Sequence, residues 1–382
     1  MIPTEAALNA YIDANIVLVF AFLIWMPVRF LISRLGFRHA HVAQLRLMNW
    51  IFAAMAIGGI AAVLHPILMR YGLSVTAPFN LSDLAVAQYL DGRFGMKPSE
   101  FERLLSLRET VLRDLLALSS TTAMAITGLL AAGFLFFAGR LVVSALRLRA
   151  LIGASYCWRR FGRVQLMLSD HVQVPFSTRG LWRRYVVIPS GMLTNTADLK
   201  IVIGHELQHF RQGDIEWEIL LEFLRPLFFW NPVFLIWKGQ VERMRELACD
   251  QELLATRRFD LRAYCDCLMR VCHDSLRHRG HRGARSGGAP ALPSVPLVQT
   301  QWRLLGPSSA SFLRQRFVSL MDTSGRRIPG FNAPLMALPI AVLVVALALA
   351  IQKPGDWSQD RLMLSAIVNL ERLNALNDTG GN

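Results

Sequence analysis

Residues 198–213 read DLKIVIGHELQHFRQG. An apolar lead-in, Leu199 to Ile203, runs into a polar exit at Arg211, Gln212 and Asp214, and Gly213 is a stop signal. The spacing predicts a helix with Asp198 or Thr196 as its N-cap. His205 and His209 stand four residues apart on it and so share one face. Both imidazoles can then reach a single Zn²⁺, which binds such nitrogens at about 2.0–2.1 Å. Glu206, one residue on, points beside the metal toward an open coordination position. A carboxylate there can take a proton from water and pass it to a leaving amine.

A catalytic zinc takes a third protein ligand and leaves its fourth position to water. Residues 241–256 (VERMRELACDQELLAT) read as another helix, with Glu242, Glu246 and Asp250 at intervals of four on one acidic face. Arg243 and Arg245 beside them also suit a merely solvated face. Spacing does not choose among the three carboxylates.

Outward from this region the chain is too apolar for an ordinary soluble enzyme. Of its 382 residues, 53% are hydrophobic and only 18% charged, where a soluble domain has about a quarter charged. Four segments approach the ~20 apolar residues that cross a bilayer: about 15–32, 47–69, 115–143 and 334–351. Only Glu5 and Asp13 are charged at or before the start of the first, so it reads as a retained anchor and not a cleaved signal peptide. Arg34, Arg38 and Arg46 follow it with no acid among them; Arg140, Arg147 and Arg149 follow the third; Arg326 and Arg327 precede the fourth. Lys and Arg gather on the cytoplasmic side, whereas residues 70–114 balance six basic against six acidic side chains. The expected organisation is three spans in residues 1–143 with an extracytoplasmic loop at about 70–114, a cytoplasmic domain over 144–333, a fourth span at 334–352 and an outer tail at 353–382. Both termini then lie outside. The net charge of +14 fits basic flanks facing anionic lipid, and no nucleic-acid reader motif accompanies it. The odd number of cysteines, five, suits reduced thiols in the cytoplasm.

Within the cytoplasmic segment, residues 163–189 predict two strands, VQLML and YVVIP, joined through Asp170 and Pro175. Residues 216–237, apolar but interrupted by Glu222, Arg225, Pro226, Asn231 and Pro232, predict a kinked helix pressed on the membrane or the spans. Glu222 and Arg225 read as a structural pair. Cys265, Cys267, Cys272 and His273 fit no paired metal spacing and read as small core thiols. His39 and His41 read as a solvated loop, and His65 as an interfacial histidine. Arg179, Arg183 and Arg184 with Trp182 read as a basic, membrane-facing surface. Residues 277–296 read as a flexible Arg- and Gly-rich loop that is also a candidate self-cleavage segment.

Three blocks, HELQHFRQGD (205–214), FWNPVF (229–234) and RELACD (245–250), resemble the BlaR/MecR-type membrane zinc metallopeptidases, the antirepressor sensor-transducers. Ser169, Pro175-Phe176, Ile188-Pro189 and residues 313–317 (LRQRF) extend the likeness over roughly residues 1–350. The resemblance implies a mainly α membrane protein with four transmembrane helices and an α+β, gluzincin-like peptidase domain inserted between the third and fourth. It implies His205, His209 and Glu246 as zinc ligands, Glu206 as catalytic base and acid, and Asp250 as a carboxylate that orients a ligand histidine. It also implies cleavage of a cytoplasmic repressor or of the chain itself in response to an outside signal, and a homodimer. One departure matters: about 30 residues follow the fourth apolar segment, without the Ser-x-x-Lys nucleophile of a penicillin-binding domain, so sensing by β-lactam acylation is not expected. A quality-control membrane protease of the HtpX or prenyl-protease type, and a non-catalytic receptor with structural zinc, are the competing expectations.

Overall fold

The computed structural model describes residues 4–70, 81–256, 258–281, 295–296, 309–323, 333–351 and 359–379. In chain order the elements are α1 (Thr4–Arg34), α2 (His41–Arg70), α3 (Leu81–Leu90), α4 (Pro98–Ala117), α5 (Thr121–Ala154), β1 (Tyr156–Phe161), β2 (Val164–Ser169), β3 (Phe176–Arg179), β4 (Arg184–Pro189), α6 (Thr196–Gln212), α7 (Asp214–Phe228), α8 (Pro232–Ala255), α9 (Leu261–His281), β5 (Val295–Pro296), α10 (Ser309–Thr323), α11 (Ala333–Ala350) and α12 (Gln359–Thr379). They form two compact units: Met1–Ile24 with Trp50–Ala131 and Leu335–Asn382, and Trp25–Asn49 with Ala132–Pro334.

Among the described residues, three helical stretches are long and apolar enough to cross a membrane: Ala7–Arg34, His41–Ala61 and Thr121–Ala154. The fourth expected span is an apolar helix too, α11, but its stretch Ala337–Ala350 is shorter than those three. The third span starts later than its hydropathy suggested. Helix α4 stops at Leu118 in the left-handed conformation (φ 50°), and the Ser120 hydroxyl then accepts from the Ala123 N–H at 3.1 Å to cap α5. Apolar Leu115 and Leu116 thus belong to the preceding helix.

In the first unit α3, α4 and α12 share a small core of Val86, Phe101, Leu364 and Val368, with the Tyr89 and Phe101 rings stacked at 4.1 Å. Glu371 accepts from the Ser99 N–H at 2.9 Å, and Arg361 pairs with Asp83 at 3.3 Å. The loop after α2 and the tail after α11 therefore build one body. Helices α2 and α11 approach closely at Gly58, where an added Cβ would sit 2.7 Å from that of Ala348.

The second unit is built on a five-stranded sheet of order β1-β2-β4-β3-β5. Strands β2 and β4 are parallel, from Val164 opposite Arg184 to Ser169 opposite Pro189, and the other pairs are antiparallel. The two strands read from sequence are β2 and β4. Arginine-rich, exposed β1 (YCWRRF) and the short β3 and β5 lack the apolar alternation that marks a strand. Both faces of the sheet are covered, which accounts for the unbroken apolar run in β4. Val186 and Ile188 pack with Leu166 against Leu199, Phe210 and Ile215 of α6 and α7; Val187 and Met167 face Leu148 of α5.

Helix α6 is covered on another side by α8, α9 and α10 through Ile201, Val202, Leu253, Tyr264, Leu268 and Leu320. Its N-cap is Asn195, not Asp198 or Thr196: the Asn195 carboxamide oxygen accepts from the Ala197 and Asp198 N–H groups, each at 3.2 Å. Such a cap contributes about 1 kcal/mol. Asp198 instead takes a two-pronged bond from Arg270 of α9 at 2.7 and 2.6 Å. The expected kinked helix is two helices, because Asn231 caps α8 through the Val233 N–H (3.0 Å) and Pro232 occupies its first turn. Helix α8 then continues unbroken to Ala255.

Gly213 ends α6 and begins α7 with φ +75°. A Cβ in that left-handed conformation costs about 1–2 kcal/mol. Gly213→Ala is expected to lower the thermal midpoint of the purified protein, measured by scanning fluorimetry in detergent, whereas Gly191→Ala, in open space without a positive φ, leaves it nearly unchanged.

Candidate metal centre

Gly204 sets how closely α6 approaches its neighbours. An added Cβ there would meet the Phe259 ring at 3.0 Å and Leu253 of α8 at 3.4 Å. On the next turn His205 and His209, both fully buried, bring their Nε2 atoms to 3.2 Å with the rings edge to face. Glu246 of α8 reaches the same two atoms, Oε2 lying 3.6 Å from His205 Nε2 and Oε1 3.7 Å from His209 Nε2. Ligands held tetrahedrally at 2.0–2.1 Å stand about 3.4 Å apart, so these separations suit one ion.

His205, His209 and Cys249 also form a group whose potential ligand atoms all lie within 4.8 Å of one another. The thiol, however, lies 3.5 Å from His205 Nδ1 and 3.5 Å from the His205 carbonyl oxygen, on the ring edge away from His209. Burial, reinforced by Asp250 and Glu246, pushes the Cys249 thiol well above its ordinary pKa. Glu246, unlike Cys249, approaches the Nε2 atoms of both histidines.

The far ring nitrogens fix the orientation of both histidines. His209 Nδ1 lies 2.8 Å from Asp214 Oδ2, and Asp214 is buried. Asp214 had the position of a polar exit; the turn at Gly213 folds it back under His209 instead. With Nδ1–H donating to Asp214, Nε2 keeps its lone pair for a metal. His205 Nδ1 lies 3.0 Å from the Tyr264 hydroxyl, which donates to Asp250 Oδ1 at 2.5 Å. Asp250 therefore acts on His205 mainly through Tyr264, its direct separation being 3.6 Å. Burial lowers the His205 pKa to about 3, which holds the ring in the neutral form that ligates metals.

Buried Arg316 of α10 joins the two α8 carboxylates. Its Nε and one terminal nitrogen bond Asp250 at 2.7 and 2.6 Å, and the other lies 3.2 Å from Glu246 Oε2. Burial works to raise the Asp250 pKa, but Arg316 outweighs it and holds that carboxyl below its usual range. Glu246 is raised by burial, with Arg316 and His209 opposing. The acidic row on α8 is thus no solvated face, since Glu242, Glu246 and Asp250 are all buried.

Glu206 is fully buried, and neither carboxylate oxygen makes a hydrogen bond of normal geometry. Burial pushes its pKa well above the ordinary value, opposed by the Ser177 hydroxyl of β3. Such groups are rare and concentrate at functional sites.

Paired imidazoles, a converging carboxylate and an orphaned glutamate match a metal-dependent peptidase. A family model described as BlaR1 peptidase M56 matches residues 10–286. The chain belongs to the BlaR1 peptidase M56 family. None of the curated proteins matches it. Membership makes the chain a membrane metallopeptidase of BlaR1 type. Arg316 lies beyond the matched residues, within the LRQRF block of residues 313–317.

Other candidates fall elsewhere. His41 is buried at the start of α2, with Nε2 2.8 Å from the Ser319 hydroxyl, and is not in a solvated loop. Cys267 packs in the α9 core. Arg179 and Arg184 pair with Glu216, while Trp182 is 87% exposed on the turn between them. Glu222 and Arg225 do pair, at 3.5 Å. The His65 side chain and residues 282–294 of the expected cleavage loop lie outside the described residues.

Asp214→Asn is expected to weaken metal binding by about 10–100-fold, the range for losing a carboxylate behind a ligand histidine, as read by competition with a chromogenic chelator. Arg316→Met strands two buried carboxylates and is expected to destabilise the fold by about 3–5 kcal/mol. Denaturant titration of the detergent-solubilised chain measures it.

Proposed function

We propose that the chain is a zinc metalloendopeptidase of a bacterial inner membrane that cuts a cytoplasmic protein, a repressor or the chain itself, in response to a signal from outside. The observation that carries the reading is the buried, hydrogen-bond-poor Glu206 beside the convergence of His205, His209 and Glu246. In this reading His205, His209 and Glu246 hold the zinc. A zinc ion supplies Lewis acidity, polarising a scissile carbonyl and acidifying water. Glu206 takes the proton of the attacking water and returns it to the leaving amine. Asp214 holds His209, and Asp250 with Tyr264 holds His205. A purely structural zinc site has no use for the carboxyl at Glu206, which favours an enzyme over a non-catalytic receptor.

The same reading gives four spans, with α11 as the fourth, both termini outside, contact with membrane lipid and a homodimer. External input then falls to the body of α3, α4 and α12, formed from the two segments that topology puts outside. The gluzincin-like designation rests on the two-histidine, one-glutamate donor set.

Glu206→Gln is expected to retain metal while losing all cleavage, checked by metal analysis and by mass spectrometry of proteins that accumulate in cells carrying the variant. One accumulating repressor supports the sensor-transducer reading; many misfolded membrane proteins support the quality-control alternative. Undiminished proteolysis by the variant rejects the assignment of Glu206.

A further inference from the structure

Helix α7 buries three carboxylates beside Ile215, Leu221 and Phe228, and its exposed positions are all apolar. Its exposed residues are Leu220, Phe223 and Leu227, three large apolar side chains at spacings of three and four. Its buried residues include Asp214, Glu218 and Glu222. A helix on a water-exposed surface turns its charges outward. Helix α9 of the same unit does so, exposing Arg262, Asp266, Arg270, His273 and Asp274 around Met269.

Glu218 and Glu222 are paired within the hairpin that α7 makes with α8. Lys238 Nζ lies 2.8 Å from Glu218, 3.0 Å from Glu222 and 2.6 Å from Glu242. Arg245 closes on Glu218 at 2.6 Å and Arg225 on Glu222 at 3.5 Å, so three cations meet three carboxylates. Charged side chains in a low-dielectric setting face the protein interior and pair with one another. At the hairpin turn the Phe229 ring packs directly on Gly133 of the spanning helix α5, where a Cβ would meet it at 2.1 Å, and stacks with Phe137 at 5.4 Å. On the α8 side, Trp25 of the spanning helix α1 donates to Gln240 at 3.0 Å, and its ring lies 6.2 Å from that of Trp237.

We propose that the α7–α8 hairpin is inserted into the bilayer from the cytoplasmic side, with Leu220, Phe223 and Leu227 against lipid acyl chains and the Lys238 cluster as its neutral polar core. The occupant of the exposed face is lipid because the hairpin is seated on two spanning helices, and α5 itself exposes Leu135 (68%) and Phe136 (65%) beside the Phe229 contact. Hydrogen bonding within each helix satisfies the backbone at that depth. Glu246 lies fourteen residues along α8 from Pro232, about 21 Å at 1.5 Å per residue. The half-thickness of a hydrocarbon core is about 15 Å. The metal centre therefore stands close to the cytoplasmic membrane surface. Insertion does not depend on the catalytic reading.

The full chain in nanodiscs of phosphatidylethanolamine and phosphatidylglycerol, open on both faces, provides the test. Leu220→Cys, Phe223→Cys and the control Met269→Cys are reacted with a charged, membrane-impermeant maleimide, with the unsubstituted chain measuring the background from its own thiols. Labelling at Leu220→Cys and Phe223→Cys is expected to be at least tenfold slower than at Met269→Cys. A diazirine-bearing phospholipid is expected to leave adducts on the peptide containing residues 220–223. Equal maleimide rates at the three positions overturn the proposal. Protection without lipid adducts, while α5 acquires them, means that protein covers the face and overturns it as well.

Discussion

The metal centre depends on burying carboxylates beside two imidazoles, and that arrangement needs a compensating cation from elsewhere in the chain. Glu246 and Asp250 sit one turn apart on α8, both almost without solvent. Two such anions so close together would be severely destabilising if unpaired. Arg316 meets both, from a helix that begins more than fifty residues later. The positions of α10, α8 and α6 are thereby linked, because each supplies charge or ligands that the others leave unbalanced.

A second dependence runs through backbone conformation. Gly204 allows α6 to lie close enough for Glu246 to reach both histidines, and Gly213 reverses the chain so that Asp214 returns beneath His209. Neither glycine touches a metal donor. Their contribution is geometric, since a Cβ would crowd the Phe259 ring at Gly204 or sit in a left-handed conformation at Gly213.

Helices α7 and α9 of one unit present opposite polarity at their surfaces. Helix α9 turns polar groups outward, as an aqueous surface does, while α7 exposes leucine and phenylalanine and buries glutamate. The same principle acts on both: charges go where dielectric or a partner stabilises them. An interrupted apolar segment such as 216–237 is therefore neither a simple span nor a core helix, and its charges form the interior of a hairpin.

The motif helix, the two parallel strands and the apolar spans were legible in the sequence because each is a local pattern: a spacing of four, a run of β-branched residues, a long stretch without charge. Those patterns also placed both histidines on one face with Glu206 beside them. They left three α8 carboxylates equivalent, because a helix repeats every turn and only the packing of α6 decides which turn it meets. They gave no sign of Asp214 as a partner of His209, of Tyr264 standing between Asp250 and His205, or of Arg316 spanning two carboxylates. Each of those depends on distances between segments remote in the chain or reversed by a turn, and such distances are set by tertiary packing.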